Sequence, residues 1–202
     1  QTMLVKERFY SFLIKKNITI IFITIIFIGY FGSLKAIEKI SIINNFNSSE
    51  TLKFDFTQKS FDKNERGTCF LKRPYFLRCL YKDENQKELI INNRVLVIYH
   101  KRYKKIYKYP VSQSFFTDIL NKEKFSELIS SGDNLPNKNF IEIKYFNKNK
   151  GEITLFFNKK NYNLNGWRLV DINNNITLLK IENLIKNSNI KKSFFLIPEE
   201  NQ

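Results

Sequence analysis

Beyond residue 50 the apolar side chains fall on alternate positions for most of the chain; before it they do not. In Thr51–Ser60 (TLKFDFTQKS), Leu52, Phe54 and Phe56 alternate with Lys53, Asp55 and Thr57, the pattern of a strand with one face buried and one wet. The same period of two returns through 67–73, 76–82, 87–92, 95–100 and 104–109, where Pro110 closes the run. Residues 114–130 break it. Phe116, Ile119 and Leu120, then Phe125, Leu128 and Ile129, stand at helical spacing and predict one or two short helices inside a β-rich chain. After Ser130–Asp133 and Pro136, strands are expected over 139–146, 151–158, 166–172, 176–184 and 193–197, divided by asparagine-rich turns such as Asn147–Gly151 and Asn173-Asn174-Asn175. Upstream, Ile37, Ile40, Ile43 and Phe46 recur at helical spacing, so 37–47 reads as an amphipathic helix ended by Asn47-Ser48-Ser49.

Consecutive strands joined by short turns make an antiparallel sheet. About eleven strands are too many for one flat sheet, which must curl, close or split. A sheet curled around helices from its own chain fits this order best. No internal repeat and no second core is evident, so 37–202 is expected to be one domain.

The first 36 residues read differently. Lys6, Arg8, Lys15 and Lys16 precede Ile18–Phe31, 14 residues without a charge, and Gly32-Ser33-Leu34-Lys35-Ala36 follows. A basic segment, a short apolar stretch and small residues, in that order, describe a secretory signal with cleavage expected after Ala36. An uncleaved anchor is the other reading, although a spanning helix wants about 20 apolar residues. No cysteine follows the apolar stretch, so no lipid attachment site is expected at a new N-terminus.

Composition narrows the chemistry. One histidine, His100, and two cysteines leave no material for a multi-ligand zinc site, and no metal or cofactor is expected. Only 6 glycines are present, with no phosphate-loop fingerprint and no GxSxG elbow, so an enzyme is not expected and a lipid or cell-wall hydrolase finds no support. The net charge of +15 would ordinarily suggest nucleic acid or an anionic membrane. Taking off the five basic groups and one acid of residues 1–36 leaves +11. Lysine, isoleucine, asparagine and phenylalanine are also over-used together, as an AT-rich coding sequence would produce. The run His100-Lys101-Arg102-Tyr103-Lys104-Lys105 is the one compact basic patch. It reads as a solvated turn between strands, and no nucleic-acid partner is expected.

The stretch around Pro74 is the most informative. Phe56-Thr57-Gln58-Lys59, then Gly67, Lys72-Arg73-Pro74 and Phe76-Leu77-Arg78, follow one another in the order found in the periplasmic outer-membrane lipoprotein carriers of the LolA family, which this chain resembles. Trp167-Arg168-Leu169-Val170-Asp171, Ile176–Leu184 and Phe194-Phe195-Leu196-Ile197-Pro198 are similar to that family's C-terminal strands, so the likeness covers nearly all of 37–198. The resemblance implies a mainly β fold, an incomplete antiparallel barrel with a helical lid over an apolar cavity. It implies a periplasmic, monomeric carrier in a Gram-negative bacterium that receives acylated lipoproteins from an inner-membrane ABC transporter. Delivery would be to a receptor at the outer membrane.

A turn centred on Pro74 sets Leu71 opposite Leu77 and Cys69 opposite Cys79, so Cys69, Leu71, Arg73, Leu77, Cys79 and Tyr81 share one face. By the resemblance that face is the cavity side, and Arg73 takes the family's role of holding and releasing the lid, its guanidinium offered to several backbone carbonyls at once. Opposed strand cysteines in an oxidising compartment are a candidate disulfide, Cys69–Cys79; two buried thiols are the alternative. The expected cavity lining is Ile40 and Ile43, Phe54 and Phe56, Leu71, Leu77, Cys79 and Tyr81, with Phe116, Ile119 and Leu120 from the central helix. Each is ordinary core by its pattern alone. Two other readings compete: a membrane-tethered sensor of lipids or lipoproteins with the same fold, and a basic module for anionic headgroups whose affinity falls steeply with salt.

Overall fold

The computed structural model describes residues 36–199, so the signal-peptide reading of residues 1–36 lies, except for Ala36, outside the described residues. The chain divides into two compact units between Ile40 and Ser41, and the second carries the whole sheet. Helix α1 covers 36–47. Six strands follow: β1 (Thr51–Ser60), β2 (Lys63–Lys72), β3 (Phe76–Tyr81), β4 (Lys87–Asn92), β5 (Val95–His100) and β6 (Lys105–Pro110). Helices α2 (Phe116–Leu120) and α3 (Lys122–Ser131) interrupt them. The rest of the sheet is β7 (Asp133–Leu135), β8 (Phe140–Asn147), β9 (Gly151–Asn158), β10 (Leu164–Val170) and β11 (Ile176–Lys186). Among the described residues no helix is long and apolar enough to cross a membrane.

The eleven strands form one antiparallel sheet in the order β6-β5-β4-β3-β2-β1-β11-β10-β9-β8-β7. It is two meanders joined where the first strand pairs with the last, Phe56 opposite Ile181 and Ser60 opposite Thr177. The sheet stays open, with β6 and β7 at its edges. Even-numbered residues of β1 (Leu52, Phe54, Phe56) and odd-numbered residues of β9 (Ile153, Leu155, Phe157) are buried on its concave face. There they meet Ile42 and Phe46 of α1, Ile119 and Leu120 of α2, and Phe125, Leu128 and Ile129 of α3 in one core. Phe125 anchors it, its ring centroid 4.1 Å from that of Phe46 and 6.4 Å from that of Phe157. Burying an aromatic or large aliphatic side chain contributes about 1.5–3 kcal/mol, so this helix–sheet contact carries most of the fold.

Two expectations are corrected. The apolar run Phe194–Ile197 is not a strand; Lys192–Phe195 forms a turn of 3-10 helix strapped across the convex face. Phe195 packs on Phe76 there. Arg78, ion-paired with Glu88, donates to the Phe194 carbonyl at 2.8 Å, and Asn92 donates to that of Phe195 at 3.1 Å. A buried apolar run is compatible with either conformation; the convex-face aromatics decide it. The eleventh strand is instead β7, whose three residues are too few to show a period. The second correction concerns α1. Ile37 and Ile40 are 54% and 57% exposed, while Ile42 and Phe46, four residues apart, are the buried pair.

Candidate functional site

The β2–β3 hairpin has the register set by its turn, with Leu71 opposite Leu77 and Cys69 opposite Cys79. The two sulfurs are joined as a disulfide, with Cα atoms 4.0 Å apart. Gly67 belongs to the same face, opposite Phe56 on one side and Tyr81 on the other. A Cβ there would lie 2.8 Å from the Phe56 ring and 2.2 Å from the Leu80 carbonyl oxygen, so only glycine lets Phe56 lie flat on this strand.

Arg73, joined to Pro74 by a cis peptide bond, is 6% exposed although no carboxylate among the described residues is bonded to it. One guanidinium nitrogen, Nη2, donates to the Phe46 carbonyl at 3.3 Å and Nη1 donates to Asn47 Oδ1 at 3.3 Å, while Nε is buried without a partner. The group also lies 4.2 Å from the centre of the Phe46 ring. It therefore meets the C-terminal end of α1, where the helix dipole favours a cation. One backbone carbonyl is engaged, fewer than the several expected, because Asn47 supplies the second acceptor. Burial pushes the Arg73 pKa down to about 10, with Glu50 pulling the other way. Asn47 extends the linkage: its Nδ2 donates to the Lys122 carbonyl at 3.3 Å and to Ser126 Oγ at 3.0 Å. Glu50, just beyond α1, is ion-paired to Lys122. The hairpin, the end of α1 and the start of α3 are thus held through one arginine and one asparagine.

Beneath that linkage lies a void of about 20 Å³ lined by apolar side chains alone: Leu52, Phe54, Leu71, Leu77, Phe46 and Trp167 among them, with Phe116, Ile119 and Leu120 from α2. That is room for roughly one water. A larger groove of about 270 Å³ shares Phe54, Leu77, Phe116 and Trp167 with it and runs along the concave face toward the other end of the strands. Cys69, Cys79, Leu89, Ile98, Leu169 and Leu179 line it, and Gln58, Tyr81, Lys87 and Thr177 form its polar part. Lys87 Nζ sits 3.9 Å above the Tyr81 ring while paired to Glu65, and the Tyr81 hydroxyl donates to Gln58 Oε1 at 3.4 Å. Burial holds the Tyr81 pKa well above its ordinary value, with Glu65 and Asp83 adding to the effect.

Of the expected lining, Phe54, Leu71, Leu77, Cys79, Tyr81, Phe116, Ile119 and Leu120 border one or both spaces. Three do not. Ile40 is exposed; Ile43 is half-buried against the core; Phe56 is fully packed against Tyr81, its ring 5.0 Å away at 74°. Trp167, Leu164, Ile181 and Leu184 from β10 and β11, and Asn47 on α1, escaped the sequence reading. Trp167 had a signal: a lone tryptophan after Gly166 on a period-two strand, and its edge faces the Phe116 ring with centroids 6.4 Å apart. Among the described residues no three His, Cys, Asp or Glu side chains gather as metal ligands. The arrangement presents apolar side chains to both spaces, with polar groups at one end of the groove.

Comparison with known proteins places this geometry. An uncharacterized conserved protein from Thermus thermophilus superposes with a TM-score of 0.52 at 11% identity, over 83% of this chain and 96% of that one, and shares the fold. More distant are a putative outer membrane lipoprotein-sorting protein domain from Vibrio parahaemolyticus and the MucA/MucB complex of Pseudomonas aeruginosa. The first has a TM-score of 0.45 at 9% identity over 80% and 94% of the two chains; the second has 0.48 at 9% over 83% and 62%. A search of curated proteins returned no match. The model of the family "Outer membrane lipoprotein carrier protein LolA" matches residues 47–198, from the last residue of α1 to the proline beyond the convex-face strap, and the chain belongs to that family.

Proposed function

We propose that the protein is a periplasmic carrier that covers the acyl chains of lipoproteins released from the inner membrane and hands them on at the outer membrane. The observation that carries this reading is the narrow apolar void under α1 and α2. It is continuous in its lining with an apolar groove and is held shut at one end by a buried arginine with an unsatisfied nitrogen. Each acyl CH₂ kept from water is worth about 0.8 kcal/mol, so a single sixteen-carbon chain represents roughly 12 kcal/mol. A carrier must supply that much apolar surface and still release it. A void of about 20 Å³ cannot receive such a chain while the helices are seated, so loading requires α1 and α2 to lift. Arg73 resists the lifting through Phe46 and Asn47, and its cost of burial makes the resistance modest. Expected partners are acylated lipoproteins, a lipoprotein-releasing ABC transporter and, where one exists, an outer-membrane receptor.

The test uses spheroplasts that make a labelled lipoprotein destined for the outer membrane, incubated with purified residues 37–202. A soluble one-to-one complex of lipoprotein and carrier, altered in loading or hand-over by Arg73→Leu, is the expected result. Release of no lipoprotein, by a protein that still binds free fatty acid, would replace this reading with that of a lipid sensor.

A further inference from the structure

The strand register assigns every turn to one end of the sheet or the other. The β2–β3 turn at Arg73, the β4–β5 turn and the β9–β10 turn share the end where α1 terminates. The β1–β2, β3–β4, β5–β6, β8–β9 and β10–β11 turns share the opposite end, which is also where the polar part of the groove lies, at Gln58, Tyr81, Lys87 and Thr177. Four large apolar side chains stand at that second end: Phe61, Tyr103, Phe146 and Ile172, between 56% and 72% exposed. They belong to four different turns or strand ends, not to one patch. Around them the β5–β6 turn supplies Lys101, Arg102, Lys104 and Lys105 with no acid among them, and Lys63, Lys82 and Lys148 sit in neighbouring turns. The acids nearby are Asp62, Glu65, Asp83, Glu84, Glu152 and Asp171; Glu65 is ion-paired with Lys87 and Glu152 with Lys144 and Arg168, while Asp83 and Asp171 accept from backbone amides of their own turns. The Arg73 end has polar tips at Asn93-Arg94 and Lys159-Lys160-Asn161; Tyr75, Tyr109, Leu135 and Ile185 are exposed there to between 36% and 50%, less than the four side chains of the turn end.

We infer that the turn end of the sheet docks on an anionic bilayer surface, and that acyl chains pass between bilayer and groove at this end. A protein partner that bound through apolar contacts would need a contiguous, shaped patch. Separate projecting side chains ringed by lysines suit a fluid interface, where aromatic and aliphatic tips enter the headgroup boundary and cations meet acidic lipids. Lysines on an edge strand also deter sheet-to-sheet pairing, and that explains Lys105 on β6. It does not explain apolar residues on the turns of β1, β8 and β10. The inference deepens the carrier reading, since it says from which side the cargo enters.

The test keeps the full chain and asks which end touches lipid. In a Trp167→Phe background, tryptophan is placed singly at Phe61, Phe146 or Ile172, or at Asn93 or Lys160 on the opposite end. Each protein is mixed with phosphatidylglycerol–phosphatidylethanolamine vesicles whose acyl chains are brominated. Tip tryptophans are expected to be quenched at least about twofold more than those at the opposite end, because bromine reports only the apolar boundary. The difference should shrink by about half or more near 0.5 M salt, in the triple variant Lys101→Glu, Arg102→Glu, Lys104→Glu, or with phosphatidylcholine alone. Equal quenching at both ends, or none at either, overturns the inference. If the tips stay dry while lipoprotein is still collected from spheroplasts, docking fails and the carrier reading stands. If the tips are quenched and no lipoprotein is collected, the carrier reading fails alone.

Discussion

At the Arg73 end of the sheet the concave face is tightly packed: Phe46 lies under a buried guanidinium, Asn47 reaches across to α3, and the space below them is about 20 Å³. At the turn end the same face continues as a groove of about 270 Å³ edged by Gln58, Tyr81 and Lys87, and the turns beyond it carry exposed Phe61, Phe146 and Ile172. Both ends hold apolar side chains next to cations. What differs is where stability is invested. One end packs its aromatic and buries its cation; the other packs Tyr81 under Lys87 but leaves Phe61, Phe146 and Ile172 in solvent, where they add little to folding and remain free to meet something else.

A matched pair of truncations breaks the comparison most sharply. Phe46→Ala removes a ring that contacts Phe125 at 4.1 Å and supports Arg73, and should cost about 3–5 kcal/mol, lowering Tm by roughly 10–15 °C. Phe61→Ala, at 72% exposure, should change stability by less than about 0.5 kcal/mol. Thermal unfolding of the two variants side by side is the measurement, and equal losses would mean that the turn end is structural after all.

How far this contrast could be read from sequence depends on the element. Alternation located ten of the eleven strands because each has one apolar face, and the proline turn fixed the pairing of Leu71 with Leu77. Short β7 carried no period, and Phe194–Ile197 carried an apolar run that a strap satisfies as well as a strand. The lining was half legible. Period two says that Thr177, Leu179 and Ile181 share a face, but not that this face borders a space instead of another side chain. Ile40 failed because a helical stripe of four isoleucine and phenylalanine residues has two edges, and the buried one runs through Ile42. The polar link through Asn47 left no pattern at all.

Next in size is the disulfide between the two ends, on the groove wall. Replacing Cys69 and Cys79 together by alanine opens a link between residues 10 apart in sequence, and should cost about 2–3 kcal/mol in a denaturant titration. The loss should vanish if the comparison is made with dithiothreitol present throughout, since the reference protein is then reduced as well.

Arg73→Leu should separate holding from folding. Two hydrogen bonds at 3.3 Å from a cation are lost, worth about 1.5–3 kcal/mol each where they are well made. Against this, the cost of burying a guanidinium with its Nε unpartnered is removed. Tm should therefore move by only a few degrees, while binding of an environment-sensitive apolar dye rises roughly tenfold as the helices lift more often. A large fall in Tm with unchanged dye binding would make Arg73 a packing residue and not a latch.

The smallest effect compares an acid at each end. Lys122 hydrogen-bonds and pairs with Glu50 and holds its carboxyl below the usual range. At the turn end, burial tends to raise the Asp171 pKa, but hydrogen bonds from Asn175 and Asn173 outweigh it and leave it lowered. Both folded values lie below the unfolded ones, so both contributions are present above about pH 4 and are lost as pH falls through the folded values. Each should be under about 1 kcal/mol, the Glu50 pair being largely in solvent. Salt distinguishes them. Raising ionic strength screens Lys122 from Glu50 but not the fixed dipoles of backbone amides around Asp171. Chemical denaturation between pH 7 and pH 3 should therefore show Glu50→Gln flattening the acid limb at low salt only, and Asp171→Asn flattening it at low and high salt alike. If both substitutions respond to salt equally, the two ends are electrostatically the same and the contrast between them rests on packing alone.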